Sequence, residues 1–533
     1  MTFRTAATTA VLAIGLAAVG AFAGPEWDPQ PVADHIRTQT TDTTIGGTHD
    51  PTAIGTYPVV SSEVTIQLEN TTVTGQVRRP VGAGDDLPGV VFVHGAGTGE
   101  SATAFAPQAW ALASSGVVTL VPAKNLTTYS LQHRDYVQEA DDYDRSVQLL
   151  RTEPGVDPTR VGAYGESEGT WIVPVMALQD PAIAFTALVS SPVVRPREQA
   201  AYAVDNYLRN TGVPQGVFRA IPRAVGMDLP DGGLDYADFD VRPYLEKLAQ
   251  PTLVVYGDAD VSMPVEQGAH EILADTSKAG NRDVTVRYYD GADHGLHLGG
   301  GDGAVSATFQ QDLADWITGL PGTGAAVPRI AGAQPNQSYL AEAVPSPRWY
   351  GDGDAVFGFT IAAVALALGA PLVWMLVSLG TRRWRFRSHV GGIASDLRVP
   401  MLLASLGAVL TMLALVVYLV AIARIALDYS QNALVVQGGW LGVRAIGIAS
   451  LVPVAVVVNR LSDRREARRS VLLWLRQRVR RDEPSGHSAV SGVRAGQPVA
   501  RGVGGWALAA ALTFAIVTLL LTTAYWGVFQ LGI

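Results

Sequence analysis

The chain of 533 residues contains no cysteine. Disulfide bonds and metal sites built on thiolates are therefore excluded, and the composition fits a bacterial protein that works outside the cytoplasm. Internal repeats, a P-loop and a dinucleotide-binding fingerprint are also missing from the sequence. It thus lacks the usual signatures of repeat proteins and of nucleotide-binding enzymes.

Lysine is missing from the last third of the chain. Residues 351–533 contain 18 Arg, no Lys and 8 Asp plus Glu, which gives this part a net charge of about +10. The preceding residues carry about −19, so that the whole chain has a net charge of −9. The acidic N-terminal part argues against nucleic acid as a partner, whereas the basic part needs another explanation.

Four apolar segments in the basic part are each long enough to cross a bilayer, which needs ~20 residues. They cover residues 355–379, 400–423, 438–458 and 505–528, and tryptophans lie in or near their ends, as at membrane interfaces. Arginines concentrate in the loops after the first and third segments, which the positive-inside rule assigns to the cytoplasm. Residues 351–533 are thus predicted to form an all-α domain of four transmembrane helices in the lipid bilayer, with the C-terminus outside.

Two details of this membrane domain leave alternatives open. Arg444 lies inside the third segment and is expected to snorkel to the outer interface. Residues 460–481 interleave arginine with leucine and valine. They form either an amphipathic helix on anionic lipid or a solvated basic loop.

The N-terminus has the pattern of a secretory signal. Arg4 precedes an apolar run over residues 6–19, and Ala21-Phe22-Ala23 follows as an A-x-A-like cleavage site. Residues 1–23 are therefore predicted to be a signal peptide or an uncleaved signal anchor. Either one places the residues that follow outside the cytoplasm, in agreement with the arginine distribution.

Between these two parts, strand-like and helix-like patterns alternate from residue 64 to residue 320. Such alternation predicts an α/β fold with a mostly parallel sheet and helices on both faces. We expect a lead-in over residues 24–63, a linker over 321–350, and a cap insertion over about 192–250. Tyr202, Tyr207, Phe218 and Met227 are candidate walls of a pocket under this cap, or simply the core of the cap.

The sequence Gly165-Glu166-Ser167-Glu168-Gly169 lies between an apolar strand-like run and a helix-like run. This is the G-x-S-x-G pattern in strand–turn–helix context, which predicts a nucleophile elbow carrying Ser167. Serine becomes a nucleophile only when a base takes its proton and an acid holds that base.

Candidates for both partners follow in the order that this arrangement requires. Asp258 and Asp260 follow a buried strand over residues 253–256, and we prefer Asp260 because Asp258 is the better candidate for forming the turn. His294 follows the next strand and is preferred as the base over His297. The predicted catalytic residues are therefore Ser167, Asp260 and His294.

An oxyanion hole is also recognisable. A buried strand ends in the loop His94-Gly95-Ala96-Gly97. The expected donors are the backbone N–H of Glu168, which follows the nucleophile, and that of Ala96 in this loop, with Gly95 or Gly97 as alternatives. His94 is expected to orient the loop.

Residues 64–320 resemble the α/β-hydrolase superfamily, in particular its dienelactone-hydrolase, prolyl-oligopeptidase and serine-aminopeptidase-like branches. The matching stretches are residues 73–80, the His94-Gly95 loop, residues 156–160, the Gly165–Gly169 pentapeptide, Gly257–Asp260 and Gly291–His294. Glu166 replaces the histidine common at its position, and a serine stands where dienelactone hydrolase itself has a cysteine.

This resemblance implies a serine hydrolase that cleaves a carboxylic ester through an acyl-enzyme, without a metal or organic cofactor. The substrate is expected to be a small-molecule or lipid ester. A peptidase of the prolyl-oligopeptidase or aminopeptidase type, an acyltransferase, and a non-catalytic membrane sensor or binding protein are the alternatives.

Overall fold

A computed structural model describes residues 2–46, 51–97, 99–229, 232–301, 303–348, 350–383, 391–427, 432–478 and 498–530. The chain divides into two compact units. The first, called the sheet unit below, comprises Asp28–Tyr207 and Gly232–Val344. The second, called the helical unit, comprises Met1–Trp27, Leu208–Asp231 and Pro345–Ile533.

The secondary structure alternates along the first part of the chain and is helical in the last part. The helices are α1 Thr2–Phe22, α2 Ala106–Ser114, α3 Tyr136–Arg151, α4 Gly169–Gln179, α5 Pro196–Asn210, α6 Gln215–Phe218, α7 Ala220–Val225, α8 Arg242–Leu245, α9 Val265–Lys278, α10 Ala307–Gly319, α11 Gly353–Arg383, α12 Ser395–Leu427, α13 Gly439–Arg478 and α14 Gly502–Tyr525. A short π-helix, Leu434–Gly438, precedes α13. The strands are β1 Val59–Gln67, β2 Thr72–Pro80, β3 Leu87–Val93, β4 Val118–Pro122, β5 Val156–Glu166, β6 Thr186–Val189, β7 Thr252–Gly257, β8 Val284–Tyr289, β9 Ile330–Gly332, β10 Gly392–Ile393 and β11 Ala500–Arg501.

The sheet unit is built on nine strands in the order β1-β2-β4-β3-β5-β6-β7-β8-β9. β2 is antiparallel to both of its neighbours, and all other neighbouring strands are parallel. The predicted α/β class with a mostly parallel sheet is confirmed. In such a sheet the loops after the parallel strands emerge at one edge, where ligands and catalytic residues gather.

Strand β3 shows why the central strands are apolar throughout. Val90 and Phe92 belong to one buried cluster, with residues of α2 and α10. Val91 and Val93 belong to another, with residues of α3 and α4. Successive side chains point to opposite faces of a strand, and helices cover both faces of this sheet, so every position of the strand is buried.

Helix α3 is stabilised by a capping residue and by an apolar stripe. Asp135 caps its N-terminus, because its carboxylate accepts the backbone N–H groups of Val137 and Gln138. The buried apolar side chains recur at helical spacing and form one stripe toward the sheet: Tyr136, Ala140, Tyr143, Val147 and Leu150.

Two boundaries differ from those expected. β1 begins at Val59, inside the predicted lead-in, and β9 lies inside the predicted linker, where it pairs with β8 at the sheet edge. The sheet unit accordingly continues to Val344 rather than ending at residue 320. A three-residue edge strand of isoleucine, alanine and glycine has no alternating pattern, so periodicity could not detect it.

In the helical unit, five of the described helices are long and apolar enough to span a membrane. Four of them correspond to the predicted spans, and the fifth is α1. α13 continues for 40 residues, so the predicted third span and most of the basic stretch 460–481 form one helix. Several arginines of the basic loops lie outside the described residues: Arg385, Arg387, Arg480, Arg481 and Arg494.

Helix α1, predicted as a signal peptide or anchor, packs against α13 and α14. The Arg4 guanidinium lies 2.9 Å from the Asp463 carboxylate, and the Thr8 hydroxyl donates to the Asn459 side chain at 2.8 Å. Near its C-terminal end the approach to α14 is so close that a Cβ on Gly20 would lie 2.4 Å from a backbone oxygen of that helix.

The predicted cap over about residues 192–250 contributes to both units, and its role as a cap stays a prediction. Residues Leu208–Asp231 belong to the helical unit. There the guanidinium of Arg223 is fully buried and donates to the backbone carbonyls of Gly20 and Tyr525, near the ends of α1 and α14. Arg444, expected to snorkel, donates to the backbone carbonyl of Gln530.

Candidate active site

Ser167 lies in a sharp turn between β5 and α4. Its φ is +54°, in the left-handed region that side chains rarely adopt. A Cβ on Gly165 would lie 2.7 Å from the Gly169 carbonyl oxygen, and a Cβ on Gly169 would lie 2.4 Å from that of Val93. The strand and the helix therefore pass so closely that only glycine fits on either side of the serine.

Asp260 lies in the turn after β7 and is 6% exposed. One carboxylate oxygen accepts the backbone N–H and the hydroxyl of Ser262, at 2.9 and 2.7 Å, and the N–H of Met263 at 3.2 Å. The other oxygen lies 2.9 Å from Nδ1 of His294. These bonds fix the carboxylate against the imidazole.

His294 lies in the loop after β8, with Nδ1 engaged by Asp260. Burial disfavours the charged imidazolium, but the charge and hydrogen bond of Asp260, helped by Glu166 and Asp293, outweigh it and raise the pKa of His294 to about 9. In the same pair, burial would raise the pKa of Asp260, but the interactions with His294 and Ser262 lower it. Since Nδ1 donates to the carboxylate, Nε2 of the neutral ring is the basic nitrogen.

The backbone links the serine turn to the histidine loop through the end of β6. The N–H of Ser167 donates to the carbonyl of Val189 at 2.9 Å. The hydroxyl of the next residue, Ser190, donates to the carbonyl of His294 at 2.7 Å. Ser167, Asp260 and His294 thus all follow parallel strands and lie at one edge of the sheet.

The two competing residues have other contacts. The Asp258 carboxylate accepts the backbone N–H of Gly291 at 2.7 Å and so braces the turn. Nδ1 of His297 lies 3.3 Å from the Asp293 carboxylate. Neither residue takes the place that the sequence analysis assigned to Asp260 or His294.

The predicted oxyanion donors lie beside the serine. A Cβ on Gly95 would lie 3.3 Å from the Cβ of Ser167, so the loop with Ala96 runs next to the nucleophile. In the part of the chain that the structure describes, the backbone N–H groups of Ala96 and Glu168 donate to no protein acceptor. Both are therefore available to an oxyanion.

His94 is fully buried beneath this loop. Its Nε2 lies 2.6 Å from the carbonyl oxygen of Pro122, and its backbone N–H donates to the Tyr143 hydroxyl at 3.3 Å. Burial lowers the pKa of His94 to about 4, so the ring is neutral and Nε2–H is the donor. These contacts suit the expected role of orienting the loop.

The side chain of Glu168 is the centre of a buried polar cluster that sequence reasoning missed. One carboxylate oxygen accepts the Tyr136 hydroxyl at 3.0 Å and a guanidinium N–H of Arg134. The other accepts the Tyr129 hydroxyl at 2.8 Å and the ammonium of Lys124 at 3.2 Å. No local pattern links these residues, because the donors lie 32 to 44 positions before Glu168.

The candidate pocket walls do not form one set. Tyr202 and Tyr207 belong to the sheet unit, whereas Phe218 and Met227 belong to the helical unit. Phe218 lies under the guanidinium of Arg209, 5.2 Å from its ring centroid. All except Phe218 are at least nine-tenths buried, which fits core positions.

Residues 129–322 match the prolyl oligopeptidase family, Peptidase_S9. No curated protein matches the chain. Among solved structures, a protein assigned as a dienelactone hydrolase from Klebsiella pneumoniae is similar, with 14% identity, coverage of 50% of this chain and 99% of that one, and a TM-score of 0.35. An esterase from Rhizomucor miehei is 19% identical, with coverage of 49% of this chain and 83% of that one and a TM-score of 0.37. A protein assigned as a dipeptidyl aminopeptidase IV from Bacteroides ovatus is 16% identical, with coverage of 50% of this chain and 36% of that one and a TM-score of 0.34.

The family match covers the stretch from Tyr129 through the serine elbow, Asp260 and His294. It agrees with the sheet order, with the nucleophile elbow, and with the resemblance of residues 64–320 described above. The sheet unit therefore has an α/β-hydrolase fold whose residues 129–322 match the prolyl oligopeptidase family, and a helical region with several apolar helices follows.

Proposed function

We propose that this protein is a membrane-anchored serine hydrolase that cleaves carboxylic esters outside the cytoplasm. The observation that carries the proposal is the pair of buried Asp260 and part-buried His294, 2.9 Å apart, at the same sheet edge as Ser167 in its strained turn. A hydroxyl on such a turn, a base and a buried acid in this chain order are what acyl transfer requires.

The chemistry follows from these positions. Ser167 Oγ attacks the ester carbonyl while its proton passes to Nε2 of His294, and Asp260 stabilises the imidazolium that forms. The N–H groups of Glu168 and Ala96 stabilise the oxyanion of the tetrahedral intermediate. When the intermediate collapses, the imidazolium gives its proton to the leaving alcohol, and water then hydrolyses the acyl-enzyme by the same steps.

A membrane location is supported by the five apolar helices. We infer that α1 is retained as an anchor, because its contacts with Asp463 and Asn459 join it to α13. A chain that starts in the cytoplasm and crosses the membrane five times ends outside. The hydrolase domain, which follows the first crossing, is then outside as well. Both positions agree with the side that the arginine distribution assigns. Mass spectrometry of the N-terminal peptide of the purified protein tests retention of α1.

The substrate follows from this location. An active site held outside the cytoplasm by several spans meets esters of the envelope or of membrane lipids, so we propose a small-molecule or lipid ester. Graded p-nitrophenyl esters test the acyl length. A preference for long chains supports a lipid substrate, whereas a preference for acetate or butyrate supports a soluble one.

A peptidase is the second candidate, because the matched family is that of prolyl oligopeptidase. Aminopeptidases of this kind need a free carboxylate to anchor the substrate amine. The Glu168 carboxylate already accepts four donors, which argues against that role for it. An ester and an amide with the same acyl group distinguish the two functions: comparable kcat/KM for both would favour the peptidase.

The proposal is tested by labelling intact cells with a membrane-impermeant fluorophosphonate, with wild type beside Ser167→Ala. Labelling of wild type alone supports a reactive serine outside the cytoplasm. Labelling that needs cell lysis would reverse the topology. Labelling of neither protein, before or after lysis, would favour a binding or sensor protein without catalysis.

A further inference from the structure

The ion pair between Lys124 and Glu168 is almost completely enclosed. The two side chains are 1% and 3% exposed, and the charged atoms lie 3.2 Å apart. Removing two charges from water costs about as much as their attraction returns, so a buried ion pair is weak evidence for stability. Its place directly beside the serine turn indicates another role.

Lys124 holds the loop that carries Ala96 at two points. Its ammonium donates to the carbonyl oxygen of Gly95 at 2.9 Å, and its backbone N–H donates to that of Gly99 at 3.0 Å. In a trans peptide the C=O and N–H bonds point in opposite directions. Fixing the Gly95 carbonyl toward Lys124 therefore directs the N–H of Ala96 away from it.

Glu168 supplies the other donor from its own backbone. Its carboxylate is held by four donors from Lys124, Tyr129, Arg134 and Tyr136. Charge-assisted hydrogen bonds are the strong ones and restrict geometry. The backbone N–H of Glu168, the residue after the nucleophile, therefore has very little freedom to rotate.

We propose that the Lys124–Glu168 ion pair positions both backbone donors of the oxyanion hole, one through the carbonyl of Gly95 and the other through the side chain of Glu168. Lys124 and Glu168 are positioning residues, since neither side chain is assigned a contact with the reacting atoms. The ammonium also polarises the Gly95–Ala96 peptide, which makes the N–H of Ala96 a stronger donor. This inference rests on the serine-hydrolase function proposed above.

The test uses the full-length protein in detergent and a fluorophosphonate whose P=O oxygen occupies the oxyanion hole. Lys124→Met removes the charge at similar length, and Lys124→Arg restores it. The inactivation rate at saturating probe, kinact, is expected to fall ~100-fold in Lys124→Met, as for loss of one oxyanion donor. The half-saturating concentration KI is expected to change less than about threefold, and Lys124→Arg should recover most of kinact.

Lys124→Met leaves the Glu168 carboxylate paired with the Arg134 guanidinium, so no buried charge loses its last partner. Misfolding still has to be separated from positioning. The unfolding temperature of Lys124→Met is therefore measured beside kinact, and kinact should fall while the variant stays folded at the assay temperature. Arg151→Met is a control that breaks the part-buried Arg151–Asp180 ion pair, elsewhere in the sheet unit. It should lower the unfolding temperature and leave kinact unchanged.

A Lys124→Met variant with kinact within about threefold of wild type would overturn the positioning role. So would a loss confined to KI, or a Lys124→Met variant that does not stay folded at the assay temperature. Failure of the underlying function has a different signature, since wild type itself would then label no faster than Ser167→Ala.

Discussion

Replacing Asp260 by asparagine keeps the shape of the side chain and removes its charge. The Asp260 carboxylate is the main group that raises the pKa of His294 from the ordinary 6.5 to about 9, with smaller contributions from Glu166 and Asp293 and against the opposing effect of burial. At 1.36 kcal/mol per pH unit, this difference corresponds to about 3 kcal/mol of stabilisation of the imidazolium that forms during catalysis. The amide NH2 of asparagine would in addition donate to Nδ1, which moves the ring proton to Nε2 and blocks its role as base.

The assay is the second-order rate of fluorophosphonate labelling as a function of pH. Labelling needs neutral His294, so the wild-type rate should rise with pH, with a midpoint above 6.5 and near 9. In Asp260→Asn the midpoint should fall by up to about 2.5 pH units, and the plateau should fall ~10⁴-fold, as in other triads. Asp258→Asn is the matched control on the same loop and should stay within about threefold of wild type.

An Asp260→Asn variant with an unchanged midpoint and plateau would refute this reasoning. A larger loss in Asp258→Asn than in Asp260→Asn would assign the acid to the other aspartate.

Three further predictions concern stability. Gly169→Ala should lower the unfolding free energy by about 2 kcal/mol or more, because its Cβ would lie 2.4 Å from a strand carbonyl; denaturant titration measures this. Burial raises the pKa of Glu139 from 4.5 to about 8. Between these pH values the folded protein keeps a proton that the unfolded chain loses, so the free energy of unfolding falls as pH rises. Glu139→Gln should therefore match wild type near pH 4 and exceed it above pH 8, by up to about 5 kcal/mol, in thermal unfolding at the two pH values. Arg223→Met should lower stability in detergent by about 3 kcal/mol, because the carbonyls of Gly20 and Tyr525 lose a buried charged donor.

Each of these has a contradicting result. Wild-type stability of Gly169→Ala would show that the strand and the helix can separate without cost. A stability gain in Glu139→Gln that is the same at both pH values would mean that the carboxyl does not titrate. An unfolding temperature of Arg223→Met equal to that of wild type would mean that the buried guanidinium contributes nothing net to the helical unit.

The amino-acid sequence by itself determined the features that depend on neighbours along the chain. The elbow around Ser167 is encoded by two glycines and the flanking apolar runs, and α3 by its stripe and its Asp135 cap. The spans are encoded by length and hydropathy. Ser167, Asp260 and His294 each follow a strand in the alternation of strands and helices. Because parallel strands bring the loops that follow them to one edge of the sheet, this alternation also places the three residues at that edge.

Only the tertiary structure decided the features that depend on distant contacts. It pairs Asp260 rather than Asp258 with His294, adds β9 to the sheet edge, divides the predicted cap between two units, and packs α1 against α13 and α14. It also joins Lys124 to Glu168 across 44 positions. The physical reason is that a buried charge or a three-residue edge strand is stabilised by partners that packing brings together, and these leave no periodic signal in the chain.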